Sequence, residues 1–145
     1  MFFGEYAHTV DEKGRMIIPA SYREALAGGA YISVGFEQNL IVWPTSIFEK
    51  ILDRLSAMSV TDPNTRLLRR MFYSQASRVE FDKAGRILLP QHLREAAHLV
   101  GDAIVAGVGE TMEIWSPEHW TEQEQCIQDG NAHAARFIDL DLPLR

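Results

Sequence analysis

Two five-residue segments carry the residue types best suited to chemistry. Asp11-Glu12-Lys13-Gly14-Arg15 and Asp82-Lys83-Ala84-Gly85-Arg86 each place a lysine and an arginine around a glycine. A tight turn there holds both cations close to the backbone. Two such loops can present guanidinium forks at a fixed separation. Arginine's planar fork matches a phosphate, or the two acceptors on the major-groove edge of guanine. The same residues admit a second reading, in which Arg15 and Arg86 pair with Asp11 and Asp82 and only stiffen the turn. Asp11 and Asp82 are read as turn-formers, with Gly14 and Gly85 as the residues that shape the loops.

Other candidates carry less. Arg66, Arg69 and Arg70 fall on neighbouring positions of one helical stretch. They are read first as a solvated face over a core stripe running from Leu67 to Met71, and second as a nucleic-acid contact. Cys126 with His119 or His133 could form a nucleophilic pair, but its spacing beside Ile127 favours a buried or half-buried thiol. The five histidines, His8, His92, His98, His119 and His133, show no metal-ligand spacing. Gly-rich phosphate loops and the nucleophile-elbow pattern are absent from the sequence. The reading is therefore of a chain that needs no metal or cofactor and catalyses nothing. Trp43 and Trp115 are assigned to core packing rather than to stacking on bases.

The loops sit inside an internal repeat. Asp11 to Pro19 recurs at Asp82 to Pro90 with an offset of 71, and Arg23-Glu24-Ala25 recurs as Arg94-Glu95-Ala96. One residue is then inserted. Gly29, Ile32, Gly35, Trp43 and Phe48 thereafter match Gly101, Ile104, Gly107, Trp115 and Trp120. A repeat of this extent means two homologous units.

Each unit predicts the same elements. An alternating strand comes first, with Tyr6, His8 and Val10 on one face in the first copy and Val79 and Phe81 in the second. Aspartate at the first position of a type I turn and glycine in the left-handed position then give a three-residue hairpin with a bulge. Met16-Ile17-Ile18 and Ile87-Leu88-Leu89 read as strands buried on both faces. Pro19 and Pro90 open short helices, Ala20 to Leu26 and Gln91 to Leu99, closed by Gly28-Gly29 and Gly101. Strands near Tyr31–Val34, Leu40–Trp43, Ala103–Ala106 and Met112–Trp115 complete the units.

Helices join and follow the units. Ser46 to Glu49 has capping-box spacing, with Phe48, Ile51, Leu52 and Leu55 on one face. Asp62-Pro63 starts a second helix. Ser116-Pro117 starts a third, which Asp129-Gly130 is expected to end. The predicted organisation is a first module at 4–48, a helical connector at 49–74, a second module at 75–121 and a C-terminal helix and tail at 122–145. Units of this size bury too little on their own, so the two must pack together or on other chains.

The chain has 145 residues and a formal net charge of −6. All of that excess lies from Glu110 onward, where eight acids face two bases; residues 1–109 hold twelve of each. A neutral body can still present a basic edge to nucleic acid. One cysteine, no apolar run long enough to span a bilayer and no secretory pattern at the start point to the cytoplasm.

Met1-Phe2-Phe3-Gly4-Glu5-Tyr6, the paired loops, the Ile-Ile-Pro and Leu-Leu-Pro strand ends and Leu40-Ile41-Val42-Trp43-Pro44 together resemble the MraZ family across nearly the whole chain. The resemblance implies a mainly β fold with short helices, in which two tandem modules like those of AbrB, SpoVT and the MazE antitoxins interleave as a double-split β-barrel. It implies a ring-shaped homo-oligomer, nucleoid-associated in the cytoplasm and off the membrane. Its partner would be double-stranded DNA bearing guanine-rich direct repeats upstream of the division and cell-wall genes, through which it regulates its own operon. The family's motif marks the loop arginines for DNA, which assigns Arg15 and Arg86, with Lys13 and Lys83 beside them. Ala84 departs from the pattern, standing where the first loop has Lys13. The loops are therefore expected to divide the work, the first reading bases and the second gripping phosphates. Two alternatives from other classes are an antitoxin-like module that binds DNA and a toxin, and a purely structural oligomer.

Overall fold

The computed structural model describes residues 1–140. In chain order the elements are β1 (Glu5–Thr9), β2 (Arg15–Ile17), α1 (Ala20–Arg23), β3 (Ala30–Val34), β4 (Leu40–Pro44), α2 (Thr45–Ala57) and α3 (Pro63–Gln75). The second half supplies β5 (Ser77–Val79), β6 (Arg86–Leu88), α4 (Gln91–Ala96), β7 (Asp102–Gly107), β8 (Met112–Trp115), α5 (Pro117–Gln128) and α6 (Gly130–Phe137). The fold is mainly antiparallel β with short helices. Among the described residues, no helix is long and apolar enough to cross a membrane.

The strands do not pair within their own repeat alone. One sheet has six strands in the order β1-β7-β8-β4-β3-β5, and a separate two-stranded ribbon joins β2 to β6. The first strand of each repeat thus lies beside the third strand of the other, as in β1 on β7 and β5 on β3. Repeat-equivalent residues meet at the two central pairs, Met16 with Ile87 in the ribbon and Ile41 with Glu113 in the sheet. An approximate two-fold axis therefore runs through both. The six-stranded sheet is open, with β1 and β5 at its edges.

The main core is shared by both repeats. Met16, Ile18, Leu26 and Ile32 of the first pack in one cluster with Ile87, Leu89, Leu93, Val105 and Ile114 of the second. Tyr22 ties the N-terminus to this core: its hydroxyl donates to the carbonyls of Phe3 and Gly4, and its ring meets Phe2 edge-on. A second cluster lies under α2 and α3, where Trp43, Phe48, Leu55 and Phe72 pack together. Trp43 and Trp115 are both core residues, as their types predict.

Several expectations need correction. The strands flanking each loop do not form a regular hairpin, because β1 and β2 each take their main partner from the other repeat. Ile17 and Leu88 are exposed, so the triplets are not buried on both faces; Met16, Ile18, Ile87 and Leu89 are their core members. Successive side chains of a strand alternate faces, and among the described residues nothing buries Ile17 and Leu88 on the outer face of this ribbon. In the first strand Tyr6 and His8 do stack on one face, but Tyr6 stays exposed and Val10 lies past the strand's end. Phe81 lies outside β5 and makes a single bridge to Ile87.

The helices also differ at their ends. α1 and α4 stop short of Leu26 and Leu99; at α4, His98 takes a left-handed φ of 55° that breaks the helix. The Ser46–Glu49 capping box does not form, because α2 begins one residue earlier, directly after Pro44, with no side-chain cap. Asp62 and Ser116 do cap their helices, accepting from the Asn64 and His119 amides. Asp129-Gly130 ends α5 as expected, with Asp129 at its C-terminal cap; Asp129 also accepts from the Ala132 amide and so starts α6. In α3 the covered residues are Thr65, Leu68 and Phe72, while Leu67 is exposed.

Because both clusters of strand partners cross between repeats, neither half can fold alone. A fragment ending at Gln75, or one beginning at Ala76, is expected to show no cooperative melt by circular dichroism, and their mixture to regain one. A sharp melt from either fragment alone would mean the repeats are independent.

Candidate nucleic-acid interface

The two loops are built the same way. The Asp11 carbonyl accepts from Gly14 N–H at 2.9 Å, and the Asp11 amide donates to the Arg15 carbonyl at 2.9 Å. Asp82, Gly85 and Arg86 repeat that pattern at 3.1 and 2.9 Å. This is the predicted type I turn with a glycine bulge, and Gly14 and Gly85 have φ of 83° and 77°.

Each aspartate does two jobs. One oxygen of Asp11 accepts from the Lys13 and Arg15 backbone amides, and the other accepts from Arg15 Nε, all at 2.9 Å. Asp82 binds the Ala84 and Arg86 amides and Arg86 Nε in the same way. The aspartate thus closes the turn and also aims the guanidinium. The Arg15 backbone amide above all holds the Asp11 carboxyl below the ordinary aspartate value; burial opposes it, and the Arg15 guanidinium adds to the lowering, while Arg86 does the same for Asp82.

The arginines therefore do pair with the aspartates, each hydrogen-bonding its own loop's carboxylate through Nε. Among the described residues, Nη1 and Nη2 of Arg15 make no hydrogen bond, and its side chain keeps 34% of its surface. Nη1 of Arg86 stands 3.9 Å from the Asp11 carboxylate, so the loops adjoin across the ribbon. An arginine tethered at Nε still offers two parallel donors from its outer edge.

The ribbon sets what lies beside these forks. Arg15 pairs with Leu88, and Ile17 with Arg86. Alternation puts all four side chains on one face and Met16 and Ile87 on the other. That outer face is a square of two arginines and two exposed aliphatic side chains. A two-stranded ribbon fits the DNA major groove, where guanine offers two acceptors and thymine a methyl group. Lys13 and Lys83 are exposed at the loop tips, with Lys83 matching Glu12 and Ala84 matching Lys13 in the repeat.

Two residues that sequence reasoning did not place at the site brace it. Arg94 Nε donates to the Leu89 carbonyl at 2.9 Å, and its guanidinium fills the space a side chain at Gly14 would occupy. Arg23 does the same beside Gly85, donating to the Ile18 carbonyl at 3.1 Å. Each repeat thus supports the other repeat's loop. The recurrence of Arg-Glu-Ala was the available signal. Ile17 and Leu88 were missed because an apolar triplet carries no alternation.

The remaining candidates lie elsewhere. Arg66 is exposed and donates to the Val60 carbonyl at 2.8 Å, and Arg70 is exposed on the same helix. Cys126 is exposed, not buried, because no residue of α5 is covered by the core. His133 reaches the Cys126 carbonyl, not its thiol. Among the described residues, no group of three or more His, Cys, Asp or Glu could hold a metal.

A family model described as "MraZ protein, putative antitoxin-like" matches the chain twice, over residues 1–71 and 72–141. The chain belongs to the MraZ family. It is 46% identical over 135 residues to the transcriptional regulator MraZ of Herpetosiphon aurantiacus, covering 93% of this chain and 92% of that protein. It is 44% identical to the transcriptional regulator MraZ of Roseiflexus castenholzii over 145 residues, covering 100% and 99%. The same-named protein of Thermomicrobium roseum is 41% identical over 141 residues, covering 97% and 99%. The double match makes this MraZ chain two copies of one family unit, in accord with its internal repeat.

The depressed carboxylates of Asp11 and Asp82 give the loops a pH signature. A group whose value falls on folding adds stability above its unfolded value, near 3.9 for aspartate, and loses it as pH drops through the lower folded value. Asp82→Asn is expected to melt below wild type at pH 7, with the gap closing as pH falls below about 4. A gap that stays constant into acid would show that the charge of Asp82 contributes nothing.

Proposed function

We propose that the chain is a transcriptional regulator that inserts the β2–β6 ribbon into the DNA major groove. The observation that carries this is the outer face of the ribbon, where Arg15 and Arg86, each aimed by its own aspartate, stand diagonally beside exposed Ile17 and Leu88. Arg15 and Arg86 contact guanine edges or phosphates, and the two aliphatic side chains meet thymine methyl groups. Lys13 and Lys83 add phosphate contacts at the tips. The relatives' printed name, transcriptional regulator, agrees with this reading.

In its finer form the proposal has the modules, at 4–48 and 75–121, make a double-split β-barrel, linked by the connector at 49–74 and followed by a segment at 122–145. The chain works in the cytoplasm on the nucleoid as a ring-shaped homo-oligomer. It binds guanine-rich direct repeats and controls its own division and cell-wall operon. Several ribbons engaged at once gain affinity through effective concentration. The crossing of strands between repeats and the buttressing of each loop by the other's arginine support the barrel.

The test is an electrophoretic shift with DNA from upstream of the chain's own gene beside a scrambled control. Arg15→Ala is expected to cost about 1–3 kcal/mol per engaged site on cognate DNA, with random DNA nearly unaffected. Arg86→Ala is expected to weaken both and to flatten the salt dependence. Wild-type affinity in both variants would remove the ribbon from the DNA surface.

Repeat geometry gives an independent check. Shifting the spacing between operator repeats by half a helical turn should weaken binding nearly as much as deleting a repeat, because the next site moves to the opposite face. Equal affinity for one and several repeats would mean that a single subunit suffices.

A further inference from the structure

The two repeats are followed by helices with different fates. By the offset of 72, the core-facing Phe48, Ile51, Leu52 and Leu55 of α2 correspond to Trp120, Gln123, Glu124 and Ile127 of α5. Leu55 is 3% exposed and Ile127 is 59% exposed. α5 contains no buried residue, although Trp120 still meets Trp115 and donates to Glu5. The outer half of α5 and the end of α6 therefore leave apolar side chains uncovered. Phe137, Ile138 and Leu140 are all more than half exposed.

One other surface complements that segment. α3 shows solvent a stripe of Arg66, Leu67, Arg70 and Tyr73, with Leu67 and Tyr73 more than half exposed. Val60, also exposed, extends the stripe through the hydrogen bond from Arg66. α3 holds three arginines and no acid; α5 holds Glu118, Glu122 and Glu124 and no lysine or arginine, and Asp129 follows it. α5 and α3 thus carry opposite charge, each beside uncovered apolar side chains, and Arg136 in the last turn of α6 is the one described cation on the α5–α6 side.

Resting on the reading of an oligomeric regulator, we propose that the α5–α6 segment of one copy seats on the α3 face of a second copy, head to tail. The apolar side chains of α6 and Ile127 meet Leu67, Tyr73 and Val60, and the acids of α5 meet Arg66 and Arg70. The two patches differ, so each chain has one of each left over. Such a contact propagates until it closes into a ring. It leaves the ribbon free, because α5 starts beside Glu5, at the end of β1 remote from the loop. The assignment also gives Arg66 and Arg70 a protein partner in place of a phosphate.

Charge exchange tests this. Arg66→Glu with Arg70→Glu makes one variant, and Glu122→Arg with Glu124→Arg makes a second. All four side chains lie at the surface or only half-buried. By light scattering at micromolar concentration, wild type is expected at several chain masses and each variant alone at one. Mixed in equal amounts, the variants are expected to regain assembly, because each supplies the sign the other needs. Melting temperature and circular dichroism of the single variants report folding, and Phe137→Ser with Ile138→Ser probes the apolar half. Wild-type mass in any variant, a monomeric wild type, or a mixture that stays apart would overturn the seat. The two readings fail separately. A chain that assembles with this charge dependence and ignores operator DNA sinks only the regulator. One that binds operator DNA and ignores these charges in its assembly sinks only the seat.

Discussion

The pairing of Met16 with Ile87 is the contact on which the molecule depends. β2 and β6 are three residues each, and a two-stranded ribbon of that length has no stability of its own. It persists because its inner face closes the shared core: Met16, Ile18, Ile87 and Leu89 are all fully buried. The main chain continues the lock on both sides. The Leu89 amide donates to the Gly14 carbonyl and the Ile18 amide to the Gly85 carbonyl. Truncating either central side chain would cost about 2–5 kcal/mol and would loosen both loops together.

From that constraint the recognition surface follows by geometry. With one side of the ribbon committed to the core, period-two alternation sends Arg15, Ile17, Arg86 and Leu88 outward. The glycines of both loops are themselves buried, pressed from behind by Arg94 and Arg23. A forked side chain on such a rigid base has little freedom left to lose on meeting a ligand. The aspartates sharpen this further, since they hold Nε and leave the outer edge of each fork to a ligand. The pairing that a structural reading would treat as the whole role of these arginines is also what orients them.

The repeats diverge away from the axis. In the first, α2 and α3 fold over Trp43 and close a second cluster. In the second, Gln123 and Glu124 stand where α2 has Ile51 and Leu52, and no residue of α5 is buried. Symmetry is kept at the ribbon and its two loops. It is lost in the helices that follow each repeat, where α5 carries Glu118, Glu122 and Glu124.

The sequence by itself determined the local chemistry. The duplicated Asp-x-x-Gly-Arg was enough for the turn, its left-handed glycines and its two arginines, because a bulged turn is set by contacts within five residues. The repeat offsets placed the strands, and Asp62 and Ser116 announced their helices through short-range capping. Only the tertiary structure decided which strands pair. Each repeat carries the same apolar pattern, so the pattern cannot tell pairing within a copy from exchange between copies. The shared core settles it. Nor could an apolar triplet reveal that Ile17 and Leu88 face solvent, since their exposure depends on the absence of a covering layer. Arg23 and Arg94 were visible as repeated residues, yet their place behind the opposite loop arises only when the two copies fold into each other.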